Sequence, residues 1–192
     1  MKTYQVITPA STYPVSLTEA KSHLKVDTTA DDTYIESIIK AATQLSEEYT
    51  NRFFIDTVIE QYASSFAELQ TLFKSKVSSV AHVKYYDSDN SLQTLSATVY
   101  DTQLNYEPSQ IQLADSQNFP SVTKRNDAVL ARYTVGYGSA ASDVPEIIKQ
   151  AILLTIGNFY ENRNSVITGK TATELPMNVK WLLDTYKVQI VG

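Results

Sequence analysis

There is no cysteine among the 192 residues of this chain. That excludes disulfide staples, thiolate metal ligands and a cysteine nucleophile, and it suits assembly in a reducing cytosol. Histidine is nearly absent too. His23 and His82 fall in different structural blocks, and no His-x-x-x-His or carboxylate–histidine spacing accompanies them, so a zinc site lacks a ligand set. The chain has only five glycines, and none builds a Gly-x-Ser-x-Gly elbow. Gly169-Lys170-Thr171 resembles the end of a phosphate-binding loop, but Asn164 stands where the first glycine belongs, and a helical pattern precedes it rather than a strand. Asp87, Asp89 and Glu107 lack the spacing of a calcium loop. Positive charge is also scarce: 16 Lys and Arg against 21 Asp and Glu give a net charge of −5. Tight binding to nucleic-acid phosphate needs clustered cations, so the balance argues against that class, although not against a surface that DNA slides past. No stretch approaches the roughly 20 apolar residues of a membrane span, and the N-terminus lacks the apolar run of a signal peptide. The expectation is a non-enzymatic chain with no catalytic residues, no cofactor, no metal and no membrane.

What is present is an ordinary core composition, 43% apolar and 19% charged, enough to fold around a packed interior. Thirteen tyrosines stand against one tryptophan. Tyrosine favours half-buried surfaces, protein interfaces included, but also fills β-strands.

The pattern is organised around Val144 to Tyr186. Pro145 suits the first position of a helix, with Asp143 as its cap and Glu146 at the positive end of its dipole. Ile147, Ile148, Ala151, Ile152, Leu154, Thr155 and Phe159 make a stripe wide enough that two faces must be covered. Asn162-Arg163-Asn164 ends this helix, a polar connection follows, and Pro176 starts a shorter helix carrying Val179, Leu182, Leu183 and Tyr186.

Towards the N-terminus, Tyr4, Val6 and Ile7 lie in an extended stretch before Pro14. Ser16-Leu17-Thr18-Glu19 is a capping box for a short helix to about Val26. Asp31 or Asp32 caps the next helix, Asp32 to about Arg52, whose Ile35, Ile38, Ile39, Ala42, Leu45 and Tyr49 share one face. From about Thr57 to Gly138 the period becomes two: Ala81, Val83 and Tyr85; Leu95, Ala97 and Val99; and Val129 through Tyr137 in alternation. Asp87-Ser88-Asp89-Asn90 has hairpin-turn chemistry, Ile111-Gln112-Leu113 is a further strand, and Leu69–Phe73 fits strand or helix. The expected class is α+β. A helical bundle from 1–56 and 139–192 carries an inserted antiparallel β-rich subdomain, 57–138.

These segments resemble a family. PVSLTEAKSHLKV followed by DDTYIESIIKAATQLSEEYTNR looks like the opening of the tailed-phage head–tail connector (adaptor) proteins. VSSVAHVKYYDSDNSLQTL, Phe119-Pro120 and RYTVGYG are similar to the β insertion of the longer members. The tail, VPEIIKQAILLTIGNFYENRN through ELPMNVKWLLDTYK, is similar to their C-terminal signature. Phe119 stands where a tryptophan often precedes the proline, and Lys187 where an arginine often follows the tyrosine. The resemblance implies a virion protein of the head–tail junction, assembled in the host cytoplasm. It implies a closed homo-oligomeric ring, dodecameric, between portal protein and stopper or tail-completion protein, with DNA passing through its channel without sequence-specific contact.

On that reading three regions are candidate contacts. The first is the loop Asn162 to Leu175 with the tail from Tyr186, including Asn162, Arg163, Lys170, Tyr186 and Lys187. The second is the polar face of the 32–52 helix, with Glu36, Lys40, Glu47 and Arg52. The third is the tyrosine set Tyr85, Tyr86, Tyr100 and Tyr106, of which Tyr85 is expected to face the β core. The rival classes are a non-enzymatic binding module unrelated to phage assembly, and an enzyme whose Asp87 and Glu107 converge.

Overall fold

A computed structural model of the chain describes residues 3–74, 76–163 and 175–188. It is α+β, and the chain divides into two compact units. One comprises Arg52–Tyr137 with the N-terminal strand and Val188. The other comprises Thr12–Asn51 and the described part of Gly138–Lys187.

The first unit is a five-stranded antiparallel sheet in the order β1-β2-β7-β3-β4, with a separate β5-β6 ribbon. The strands are β1 (Thr3–Thr8), β2 (Thr57–Ala63), β3 (Val77–Tyr86), β4 (Leu92–Thr94), β5 (Tyr100–Gln103), β6 (Gln110–Leu113) and β7 (Val129–Val135). β7 is central and reads Val-Leu-Ala-Arg-Tyr-Thr-Val, with Val129, Ala131, Tyr133 and Val135 fully buried. They pack with Ile59, Val83, Leu95 and Ile111, and with Phe66, Leu69 and Leu72 in and after a single helical turn, Phe66–Leu69.

The second unit is helical: α1 (Leu17–Leu24), α2 (Asp32–Thr50), α4 (Glu146–Glu161) and α5 (Met177–Asp184), where α3 denotes the short turn in the sheet unit. The Ser16–Glu19 capping box forms as expected. The serine hydroxyl accepts from the Glu19 N–H at 3.2 Å, and the glutamate accepts from the Ser16 N–H at 2.8 Å. α4 packs on α2, α5 and α1. Its buried residues are Ile148, Ala151, Ile152, Thr155 and Ile156, whereas Ile147 is exposed. The facing side of α2 buries Ile35, Ile38, Ile39 and Ala42 together with Thr43, Ser46 and Thr50. Each of those three hydroxyls donates to the carbonyl one turn back, as does Thr155, so the small polar residues enter a helix interface with no unsatisfied group. With glycine scarce, α1 and α2 end on left-handed Lys25 and Asn51 instead. Gly136 is required where it stands: its φ is +150°, and a Cβ would sit 2.6 Å from the Asp56 backbone nitrogen.

Five expectations need correction or narrowing. Residues 3–8, grouped above with the helices, pair with β2 and form an edge of the sheet. The β-branched and aromatic residues of that stretch find a ladder partner in β2. Leu95–Val99 alternates like a strand, but β4 stops at Thr94. A turn closed by the Val99 N–H to the Ser96 carbonyl follows, with the Ser96 and Thr98 hydroxyls 2.9 Å apart. Asp31 stands at the α2 N-cap without a side-chain cap bond, because its carboxylate is held by Tyr160 and Arg163. Asp143 caps the 3-10 turn Ala141–Asp143 through the Ala140 N–H rather than capping α4, and Pro145 sits one position before the helix. Leu69–Phe73 is neither one strand nor one helix: Leu69 ends α3, and Thr71 makes an isolated bridge to Gln110.

Candidate interaction surfaces

The polar face of α2 carries a built feature. Residues 12–17 run beside it, leaving an open groove of about 510 Å³ whose α2 wall is Thr33, Glu36, Ser37, Ile39 and Lys40. Glu36 and Lys40 are exposed and make no ion pair among the described residues. Glu47 lies further along the helix and is half-buried.

Arg52 is not on that face. It is 5% exposed, beyond the α2 C-cap in the sheet unit. It forms a bidentate pair with Glu107, at 2.9 and 2.5 Å. The hydrogen bond from Arg52 holds the Glu107 carboxyl below its ordinary range. Glu107 is therefore tied into the sheet unit. Asp87 is equally engaged: its side chain accepts from the Ser91 and Asp89 N–H groups inside the expected hairpin turn. No group of three or more His, Cys, Asp or Glu side chains among the described residues is placed to hold a metal ion.

At the end of α4, Arg163 stacks on Tyr34 at 4.3 Å and on Tyr160 at 4.4 Å. It also forms an ion pair with Asp31, at 2.8 Å. The Tyr160 hydroxyl donates to the same carboxylate at 2.6 Å, and the Tyr34 hydroxyl donates to the Phe159 carbonyl. Bonds from Arg163 first, then Tyr160, keep the Asp31 carboxyl below the usual carboxylate range. This cluster fixes the residue from which the 164–174 connection departs; that connection, Lys170 included, lies outside the described residues. Asn162 is the C-cap of α4 and is exposed. At the other end of the connection, Lys187 covers the Tyr49 ring at 4.4 Å, and the Tyr49 hydroxyl donates to Asp184 at 2.5 Å. Tyr186 is half-buried in the turn after α5. Residues 189–192 of the expected tail contact lie outside the described residues.

Among the tyrosines of the sheet unit, Tyr85 packs against Phe66, with ring centroids 5.9 Å apart. Tyr86 is covered by the Arg125 guanidinium at 3.6 Å. Tyr100 is half-buried, and only Tyr106 of this set is open, at 62% exposure.

The most exposed large apolar side chains escaped the sequence reading. Trp181 is 71% exposed and Met177 is 66% exposed. They lie one turn apart on α5 and form a single ridge on the face away from Val179 and Leu183. The signal was available, since the chain's lone tryptophan alternates with the buried residues of α5 at helical spacing.

Three comparisons bear on this geometry. The family model described as "Phage gp6-like head-tail connector protein" matches residues 14–118, just over half the chain. No curated protein matches. Among solved structures, a chain in the neck of an empty gene transfer agent (GTA) particle computed with C6 symmetry is 18% identical. It superposes with a TM-score of 0.74, covering 98% of this chain and 97% of that one. A chain of the native GTA virion is 19% identical, with a TM-score of 0.73 and 98% and 96% coverage. One from the native neck computed with C12 symmetry is 20% identical, with a TM-score of 0.72 and 100% and 97% coverage. The fold of this chain is thus that of these neck components, over nearly its whole length.

Proposed function

The chain belongs to the phage gp6-like head-tail connector family, and from that premise we propose that copies of it close into a ring beneath the portal at one capsid vertex. Its function is structural, as a connector. The ring is dodecameric in the particle, stacks on portal protein on one side and on stopper or tail-completion protein on the other, and continues the DNA channel between them. The family match carries this reading, and the likeness to neck chains solved with C6 and C12 symmetry supports it.

The chemistry of the chain suits the role. A net charge of −5 favours a channel that phosphates traverse without sticking. Asp87 and Glu107, the one pair considered for catalysis, are each committed to a structural partner, which supports a protein without enzymatic activity. Asn162, Arg163 and Lys170 bracket or belong to a connection suited to meeting portal or a neighbouring copy. The clamp of Arg163 between two tyrosines supports a fixed departure point for it. Assembly takes place in the host cytoplasm and ends at the head–tail junction of the virion.

The test is genetic. Particles produced by the encoding genome without this chain are expected to be DNA-filled heads and separate tails, joined when the purified chain is added back. Tailed particles formed in its absence would overturn the reading.

A further inference from the structure

We draw no further inference here: the strongest candidate, the exposed apolar ridge of Met177 and Trp181 on α5, carries nothing because nothing in the structure shows what covers it.

Discussion

The sheet unit and the helical unit finish their surfaces differently. In the sheet unit several buried polar groups are closed into local networks, although the buried His82 Nε2 has no hydrogen-bond partner among the described residues. The Tyr133 hydroxyl donates to Gln61 at 2.6 Å, the Phe73 N–H donates to both Gln61 and Tyr133, and the Gln61 amide donates to the Thr71 carbonyl. Glu60 accepts from Tyr62 and Arg132. The helical unit has an equally closed core along α2 and α4, yet it carries Trp181 and Met177 almost bare on α5. The chain's lone tryptophan is 71% exposed and joins Met177 in one apolar ridge, a contiguous exposed surface of the kind found at interaction sites. The two units differ in where they leave apolar surface: the sheet unit exposes Tyr4, Val6 and Ile7 along its β1 edge, with Leu92, Tyr106 and Leu113 elsewhere, whereas the helical unit exposes its two barest apolar residues, Trp181 and Met177, one turn apart on α5.

Substitutions can break or sharpen that contrast. The largest loss is expected in the helical core. Ile152→Ala deletes a fully buried side chain of α4 and should cost about 3–4 kcal/mol in urea unfolding. In the sheet, Gln61→Leu removes the hub of the Tyr133–Phe73–Thr71 network and should cost about 2–3 kcal/mol, from the orphaned carbonyl and the weakened hydroxyl. Gln61→Leu should leave assembly intact at temperatures where the chain stays folded. Assembly lost with the fold retained would mean that the sheet takes part in association.

Glu107→Gln comes next. Arg52 is buried while Glu107 is half open to water, so the loss is discounted for solvent screening to about 1 kcal/mol. The sign with pH follows from the direction of the shift. The folded carboxyl lies below its ordinary value of 4.5, so the stabilisation is present above 4.5 and disappears as pH falls through the folded value. The variant should lack that part of the acid dependence.

His82 works in the same sense at higher pH. Burial first, then Lys84 and Arg132, push its pKa below 6.5. The unfolded chain therefore binds the proton more readily, and stability should decline as pH drops below about 6.5. His82→Gln should flatten that segment of the pH profile, read by denaturant titration.

The smallest effect on stability belongs to Trp181→Ala, within about 0.5 kcal/mol because the side chain is already in water. A large destabilisation would mean that Trp181 serves the fold and not a partner.

Much of this was legible in the residues. The 3.6 period marked α2 and α4, the capping box marked α1, and Asp87–Asn90 marked the β3–β4 hairpin, because each of these signals is local. What the sequence hid was set at a distance. Asp31 reads as a cap, but Arg163 and Tyr160, more than a hundred positions away, take its carboxylate. Arg52 reads as the exposed end of a helix, but Glu107 draws it into the sheet unit. The alternation of Leu95, Ala97 and Val99 is real as a pattern, yet only Leu95 is buried, because the Ser96 and Thr98 hydroxyls favour a turn. For the surfaces, Glu36 and Lys40 stand out by charge alone, while the groove they help to line needs the 12–17 segment that only the fold supplies.

The central claim is that this chain is a ring-forming connector. Its most direct test is mass by light scattering of the purified protein at high concentration, with and without portal protein from the same genome. The account predicts a closed ring, formed alone or on the portal. A monomer at every concentration, indifferent to portal, would contradict it.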